Sequence, residues 1–181
     1  MNQADAELAR SWVERGDREA MRELYERHGR RVYAFARSMT GSDDAASDVL
    51  QETFLRAARG MHRFRGESEL STWLLAVARS AAADLGRKAG RRERDGETDP
   101  PERANPGPAD HLNSRELTEA VRQAVLRLPE AERLAVTLCE LQELPLAQAA
   151  AVTGWTEGKL KSALFRARGR LRTELAPYMM Q

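Results

Sequence analysis

The 181-residue chain has a single cysteine and only three histidines. One cysteine, Cys139, excludes an intramolecular disulfide, and the scattered histidines leave no metal-ligand spacing. Cys139 lies within LAVTLCEL, a setting that suits a core residue better than a redox switch. No apolar run is long enough to span a bilayer and no signal peptide is recognisable, so a soluble, cytoplasmic protein is expected. There is no phosphate loop, no clustered Asp/Glu/His set, and no nucleophile with a base at a workable spacing. That argues against an enzyme, and neither a cofactor nor a metal is expected. Strand-like alternation and repeats of fixed period are also missing. What is there is Ala, Leu, Arg and Glu at helical spacing, the composition of an all-α protein.

The helical pattern is interrupted once. DGETDPPERANPGPADHL, residues 95–112, has proline, glycine and acids but no apolar period, and reads as a flexible linker. Two small helical domains, residues 1–94 and 113–181, are therefore expected, each with a modest core. The net charge is only +1, but it is unevenly spread. Ala78–Arg94 holds Arg79, Arg87, Lys88, Arg91, Arg92 and Arg94 against Asp84 and Glu93, and an acidic tether follows. A basic helix end beside an acidic linker suggests a polyanion-binding surface.

The second half carries a sharper signal. Leu144–Arg172, LPLAQAAAVTGWTEGKLKSALFRARGRLR, reads as a helix-turn-helix, a unit that places its second helix in the DNA major groove. Ala147–Val152 form a short first helix, Gly154 ends it, and Thr156 caps the next. On that helix Leu160, Leu164, Ala167 and Leu171 fall on one stripe that should be buried. Lys159, Ser162, Phe165 and Arg166 lie on or near the other side, where cations and a hydroxyl can meet phosphates and base edges. Taken alone, the same pattern also fits an ordinary amphipathic helix with a solvated basic face.

In the first half, Met21–Met39 puts Leu24, Tyr25, His28, Val32, Phe35 and Met39 on a helical stripe that Gly41 and Ser42 break. A second helix runs from Ser42–Asp44 to Arg59, with acids at its positive end. Ala46, Val49, Leu50, Thr53 and Phe54 make its packing arc; Asp48, Gln51, Glu52, Leu55 and Arg59 make the other. Leu55 amid polar and acidic residues is either the anchor of a protein contact with a charged rim or a lone exposed leucine. Met61–Leu70 reads as a loop pivoting at Gly66, and Ser71–Leu85 resumes a helix that extends into the arginine run. Trp73 can stack on an unpaired base or pack in the core. His28 and His62 have no second ligand and read as structural or exposed.

The segment from ELYERHGRRVYAFA through DDAASDVLQETFLRAARGMHRFRGESELSTWLLAVARS to RKAGRRER resembles domain 2 of the bacterial sigma-70 family, in particular its short extracytoplasmic-function (ECF) type. AVRQAVLRLPEAERLAVTLCELQELPLAQAAAVTGWTEGKLKSALFRARGRLR is similar to domain 4 of the same group. The two cover nearly the whole chain in the right order, and DVLQETFLRA, STWLLAVAR, LRLPEAER and KSALFRARGRLR are jointly specific.

The resemblance implies a transcription initiation factor that binds core RNA polymerase and directs it to promoter DNA, with an anti-sigma factor as a further partner. It implies polymerase binding by Asp48, Gln51, Glu52 and Leu55, because the matching family helix docks on the coiled coil of the largest polymerase subunit. It implies contact with the melted −10 region by Arg63, Phe64, Ser68 and Trp73, and with DNA backbone by Arg87, Lys88, Arg91 and Arg92. Reading of the −35 element falls to Lys159, Lys161, Ser162, Phe165 and Arg166, with Arg168 and Arg170 nearer the phosphates. The chain departs from the family's pattern at Ser80, Ala81–Ala83 and Gly86, which make that stretch smaller and less basic. It departs again at Ala163 and Phe165, which stand where arginine and histidine are frequent and imply an altered promoter sequence. A sigma-like mimic that binds an anti-sigma factor without opening DNA is the alternative, and it would have no need of the basic faces.

Overall fold

The computed structural model describes residues 2–94 and 112–179, and every regular element among them is helical. The expected linker, apart from Leu112, lies outside the described residues. Helix α5 takes in Leu112 and runs to Arg127, so helix begins one residue inside that segment.

Helix α2 (Arg18–Thr40) organises the first half. Asp17 caps its start by accepting from the Glu19 and Ala20 amides, and Gly41, at φ 76°, closes its end in the left-handed conformation that glycine adopts without strain. Leu24, Val32, Phe35 and Ala36 are buried, as the apolar stripe requires. Tyr25, on the margin of the stripe, is half-exposed, with its ring 4.8 Å from that of Phe54.

Helix α3 (Asp43–Gly60) is capped by Ser42, whose hydroxyl accepts from the Ala45 amide. Ala46, Val49, Thr53 and Phe54 face inward. Asp43 accepts from the Tyr33 hydroxyl at 2.7 Å and from Arg37 Nε at 2.6 Å, which together hold its carboxyl below the usual range. Arg56 reaches from α3 to α4 (Leu70–Arg94), donating to Glu52 and to Asp84, each at 2.7 Å. The hydrogen bond from Arg56 lowers the Asp84 carboxyl in the same way.

The sequence reading did not identify α1 (Gln3–Arg15). It docks through a buried Asp5, whose carboxylate meets His28 Nε2 at 3.1 Å and Arg27 Nη1 at 3.4 Å, and through Trp12, which donates to the Ala58 carbonyl at 2.9 Å. His28 is thus structural, as expected.

In the second half, α6 (Glu130–Val136) passes into a π-helical turn (Thr137–Leu141), then α7 (Leu146–Thr153) and α8 (Glu157–Met179). Cys139 is half-buried in the π turn, and burial pushes its thiol pKa up, which suits a packing role.

Two separate domains on a flexible linker were expected, yet the two halves pack against one another. Arg31 on α2 donates to the Gln142 carbonyl at 2.7 Å and to its Oε1 at 3.2 Å. Thr72 on α4 donates to Gln148 at 3.0 Å, and Arg79 to the Val152 carbonyl at 3.4 Å. Leu126 of α5 closes over Gly41. Most of these contacts are polar and made by single residues, so linker composition could not reveal them.

A side chain at Gly41 would need a strained φ, and its Cβ would come within 3.1 Å of the Leu126 methyls. Gly41→Ala should therefore destabilise the protein by about 1 kcal/mol or more. Because Leu126 belongs to the other half, Leu126→Ala should recover part of the loss. A double-mutant cycle in urea with a coupling near zero would show that the halves do not meet there.

Several carboxyls are held low, among them Asp43 and Asp84 as described, and Glu119, lowered to about 2 chiefly by its hydrogen bond from Arg122. A depressed carboxyl adds stability that is present above its unfolded-state pKa and lost as pH falls through its folded value. The urea midpoint should stay level from neutrality down to about pH 5 and decline from there toward pH 2. Asp84→Asn should flatten part of that decline. A midpoint as high at pH 3 as at pH 7 would refute the assignment.

Candidate functional site

Two surfaces stand out, one in each half. On α8 the fold separates the residues as the spacing predicts. Leu160, Leu164 and Ala167 are buried and Leu171 is half-buried, while Lys159, Ser162 and Arg166 are exposed and Phe165 is 81% exposed. Gly154, at φ 70°, ends α7, and the Thr156 hydroxyl accepts from the Lys159 amide at 3.2 Å to start α8. That tight turn sets the angle at which α8 leaves α7 and so presents its outer face. Phe165 is the most exposed large apolar side chain among the described residues, which makes it prominent on that face.

The cations on this face are individually anchored. Lys159 Nζ lies 4.2 Å from the centre of the Trp155 ring, a cation–π contact. Lys161 pairs with Glu157 across one turn at 3.9 Å, and Arg168 with Glu140, which raises the Arg168 pKa. Arg166 and Arg170 both reach Glu132. Sequence reading missed Glu132 and Glu140 because their partners lie 28 or more positions along the chain. Ala163 corrects another expectation: it is 1% exposed, so its side chain packs in the core and cannot face DNA. Among the two departures on this helix, only Phe165 is available to alter readout.

The surface in the first half runs along α3. Asp48 and Gln51 are exposed, and Leu55 is 46% exposed between them and Arg59. Glu52 is half-buried with its carboxylate held by Arg56, which leaves Asp48 as the exposed carboxylate of the four assigned residues. Tyr25 of α2 packs its tilted ring on Phe54 beside this row and adds a second exposed apolar group, which the apolar stripe had placed in the core.

Beyond α3 the chain makes a short 3-10 turn, Met61–Arg63, and swings through Gly66 at φ 73° into α4. Arg63 is exposed, with Nε 3.3 Å from the exposed His62 ring nitrogen, and Ser68 donates to the Glu69 carbonyl at 3.4 Å. Phe64 and Trp73 are half-buried against each other, ring centres 5.3 Å apart. Trp73 therefore packs on Phe64 and stays only half-buried. The helix extends into the arginine run as the pattern predicts: α4 continues through Gly86 and Gly90 to Arg94. The i, i+3 ion pair between Asp84 and Arg87 supports the helix there. Arg87, Lys88 and Arg91 are exposed along it, and the Arg92 side chain lies outside the described residues. No helix among the described residues is long and apolar enough to cross a membrane.

Comparison with known proteins matches both halves. Residues 24–92 fit the sigma-70 region 2 family model and residues 118–171 the sigma-70 region 4 model. The chain is 36% identical over 168 residues to the ECF RNA polymerase sigma factor SigM of Mycobacterium tuberculosis, covering 93% of this chain and 83% of that protein. It is 31% identical over 175 residues to the ECF RNA polymerase sigma-E factor of Escherichia coli, covering 91% of each. Among solved structures, the sigma factor RpoE in complex with the anti-sigma factor NepR from Bartonella quintana aligns with a TM-score of 0.74 at 27% identity, over 86% of this chain and 96% of that one. Two family models in the right order, full-length relatives and a helix-turn-helix with a basic outer face agree: the chain belongs to the ECF sigma factors of the sigma-70 family.

Proposed function

We propose that this sigma factor grips core RNA polymerase through the outer face of α3 and meets promoter DNA at three places. Asp48, Gln51 and Leu55 make the polymerase contact, and Glu52 is kept in place by Arg56 at its border. Arg63, Phe64, Ser68 and Trp73 touch the melted −10 region. Arg87, Lys88, Arg91 and Arg92, on the last turns of α4, hold DNA backbone. Lys159, Lys161, Ser162, Phe165 and Arg166 read the −35 element, with Arg168 and Arg170 toward the phosphates. The chain carries out no covalent chemistry of its own, and its partners place its work in the cytoplasm. An anti-sigma factor restrains it by covering the α3 and α8 faces.

The observation that carries this reading is the clean division of α8 into a buried apolar stripe and an exposed face of cations, a hydroxyl and Phe165. A mimic that never touched DNA would gain nothing from such a face, since exposed like charges repel one another and cost stability. Transcription reconstituted from core polymerase and this chain, on promoters selected from a random library, tests the whole assignment. Activity of core alone on the same templates would set it aside.

For the α3 face, Asp48→Arg combined with Leu55→Asp should abolish core binding, because the first reverses a rim charge and the second puts an acid at the apolar anchor. Both side chains are exposed, so helical content by circular dichroism should not change. Wild-type affinity in the double variant would place the interface elsewhere.

For the end of α4, Lys88→Ala with Arg91→Ala should weaken binding of the polymerase complex to matched and scrambled promoters alike. The log–log salt dependence should become shallower by up to roughly two units, one for each phosphate no longer neutralised. A loss confined to one promoter sequence would instead make these residues base readers.

A further inference from the structure

Glu132 stands in the first turn of α6 and is 5% exposed. A carboxylate taken out of water is tolerated only where cations or hydrogen-bond donors meet it. Here two arginines from another helix do so. Arg166 Nε donates to Oε1 at 3.1 Å, and Arg170 Nε lies 3.0 Å from Oε2 in an ion pair without hydrogen-bond geometry. The arginines are four residues apart on α8, so they emerge from one face a turn apart. Their side chains remain 55% and 60% exposed. Each guanidinium is held at its Nε side, which leaves the two terminal nitrogens of each fork for an outside acceptor.

An acid beneath a DNA-facing helix subtracts positive charge from the surface and so weakens attraction to phosphate. What it supplies in exchange is direction. A long, flexible arginine loses rotamer freedom when it binds, and one already tethered loses less and arrives in a defined orientation. We propose that Glu132 is a positioning residue for promoter readout, fixing the guanidinium of Arg166 toward base edges and that of Arg170 toward the adjoining phosphates, each in one orientation. The proposal rests on the reading of α8 as the DNA-facing helix.

The test uses polymerase holoenzyme assembled with the full-length chain. It is titrated onto an upstream element that the wild-type holoenzyme selects from random duplexes, and onto a scrambled copy. Glu132→Gln keeps the side chain's shape and removes its charge. The ratio of matched to scrambled affinity should fall about fivefold or more, through loss on the matched element, while scrambled binding holds or tightens. If both affinities shift together and the ratio is kept, Glu132 is only a charge and the proposal is overturned. In an Arg166→Ala, Arg170→Ala background, Glu132→Gln should leave the ratio where the double variant sets it, since the residue acts through those two; a further fall would also overturn it.

Arg166→Lys covers the case in which the buried substitution harms folding. It changes an exposed side chain, keeps the charge and loses the fork, so it should lower the ratio with scrambled binding preserved. A wild-type ratio in that variant overturns the proposal. If the Arg166→Ala, Arg170→Ala variant binds both duplexes as wild type does, then α8 does not face DNA, and the underlying reading falls together with the proposal.

Discussion

Burial of one face of α2 is the constraint on which the rest of the fold depends. Leu24, Val32, Phe35 and Ala36 are removed from water, and α1, α3 and α4 all pack on that helix. The same helix also meets α5, α6 and the π turn of the second half. Apolar burial of this kind contributes roughly 1.5–3 kcal/mol for each large side chain, more than any exposed ion pair on the surface. The faces of α2 that are not buried in its own half are then free to hold the other half in place through Arg31 and Gly41. The α3 surface follows from the same packing. With Val49, Thr53 and Phe54 committed to the core, helical geometry forces Asp48, Gln51 and Leu55 outward.

Those parts of the fold that follow a local rule were legible in the sequence. The α8 stripe, the left-handed Gly154, the Thr156 cap and the two arcs of α3 each depend on spacing within a few residues, and all are found where the pattern puts them. The parts that were not legible depend on partners far apart in the chain. Asp5 and His28 are 23 positions apart, Arg31 and Gln142 are 111 apart, and Thr72 and Gln148 are 76 apart. Nothing in the composition of either neighbourhood announces such a pair. Ala163 went wrong for a different reason: a family comparison reports which residue is usual at a position, but not whether that position points inward in this chain. The continuation of α4 through Gly86 and Gly90 was legible too: the low helix propensity of glycine, about 1 kcal/mol each, is outweighed there by the Asp84–Arg87 ion pair and the helix already formed ahead of them.

The binding faces gain their character from pairing as much as from charge. A net charge of +1 leaves no general attraction for nucleic acid, so affinity must come from where the cations sit. On α8 most of them are tied to an acid or a ring: Arg166 and Arg170 to Glu132, Arg168 to Glu140, Lys161 to Glu157, Lys159 to Trp155. On the last turns of α4, by contrast, Lys88 and Arg91 stand exposed. Tethered cations lose part of their long-range pull on phosphate but keep their direction, which favours discrimination between bases. Exposed cations on a helix end keep the pull and bind any backbone. On the proposed assignment the two halves divide the electrostatic task, and because α4 also packs on α7, the element proposed to bind without regard to sequence is joined to the unit proposed to read it.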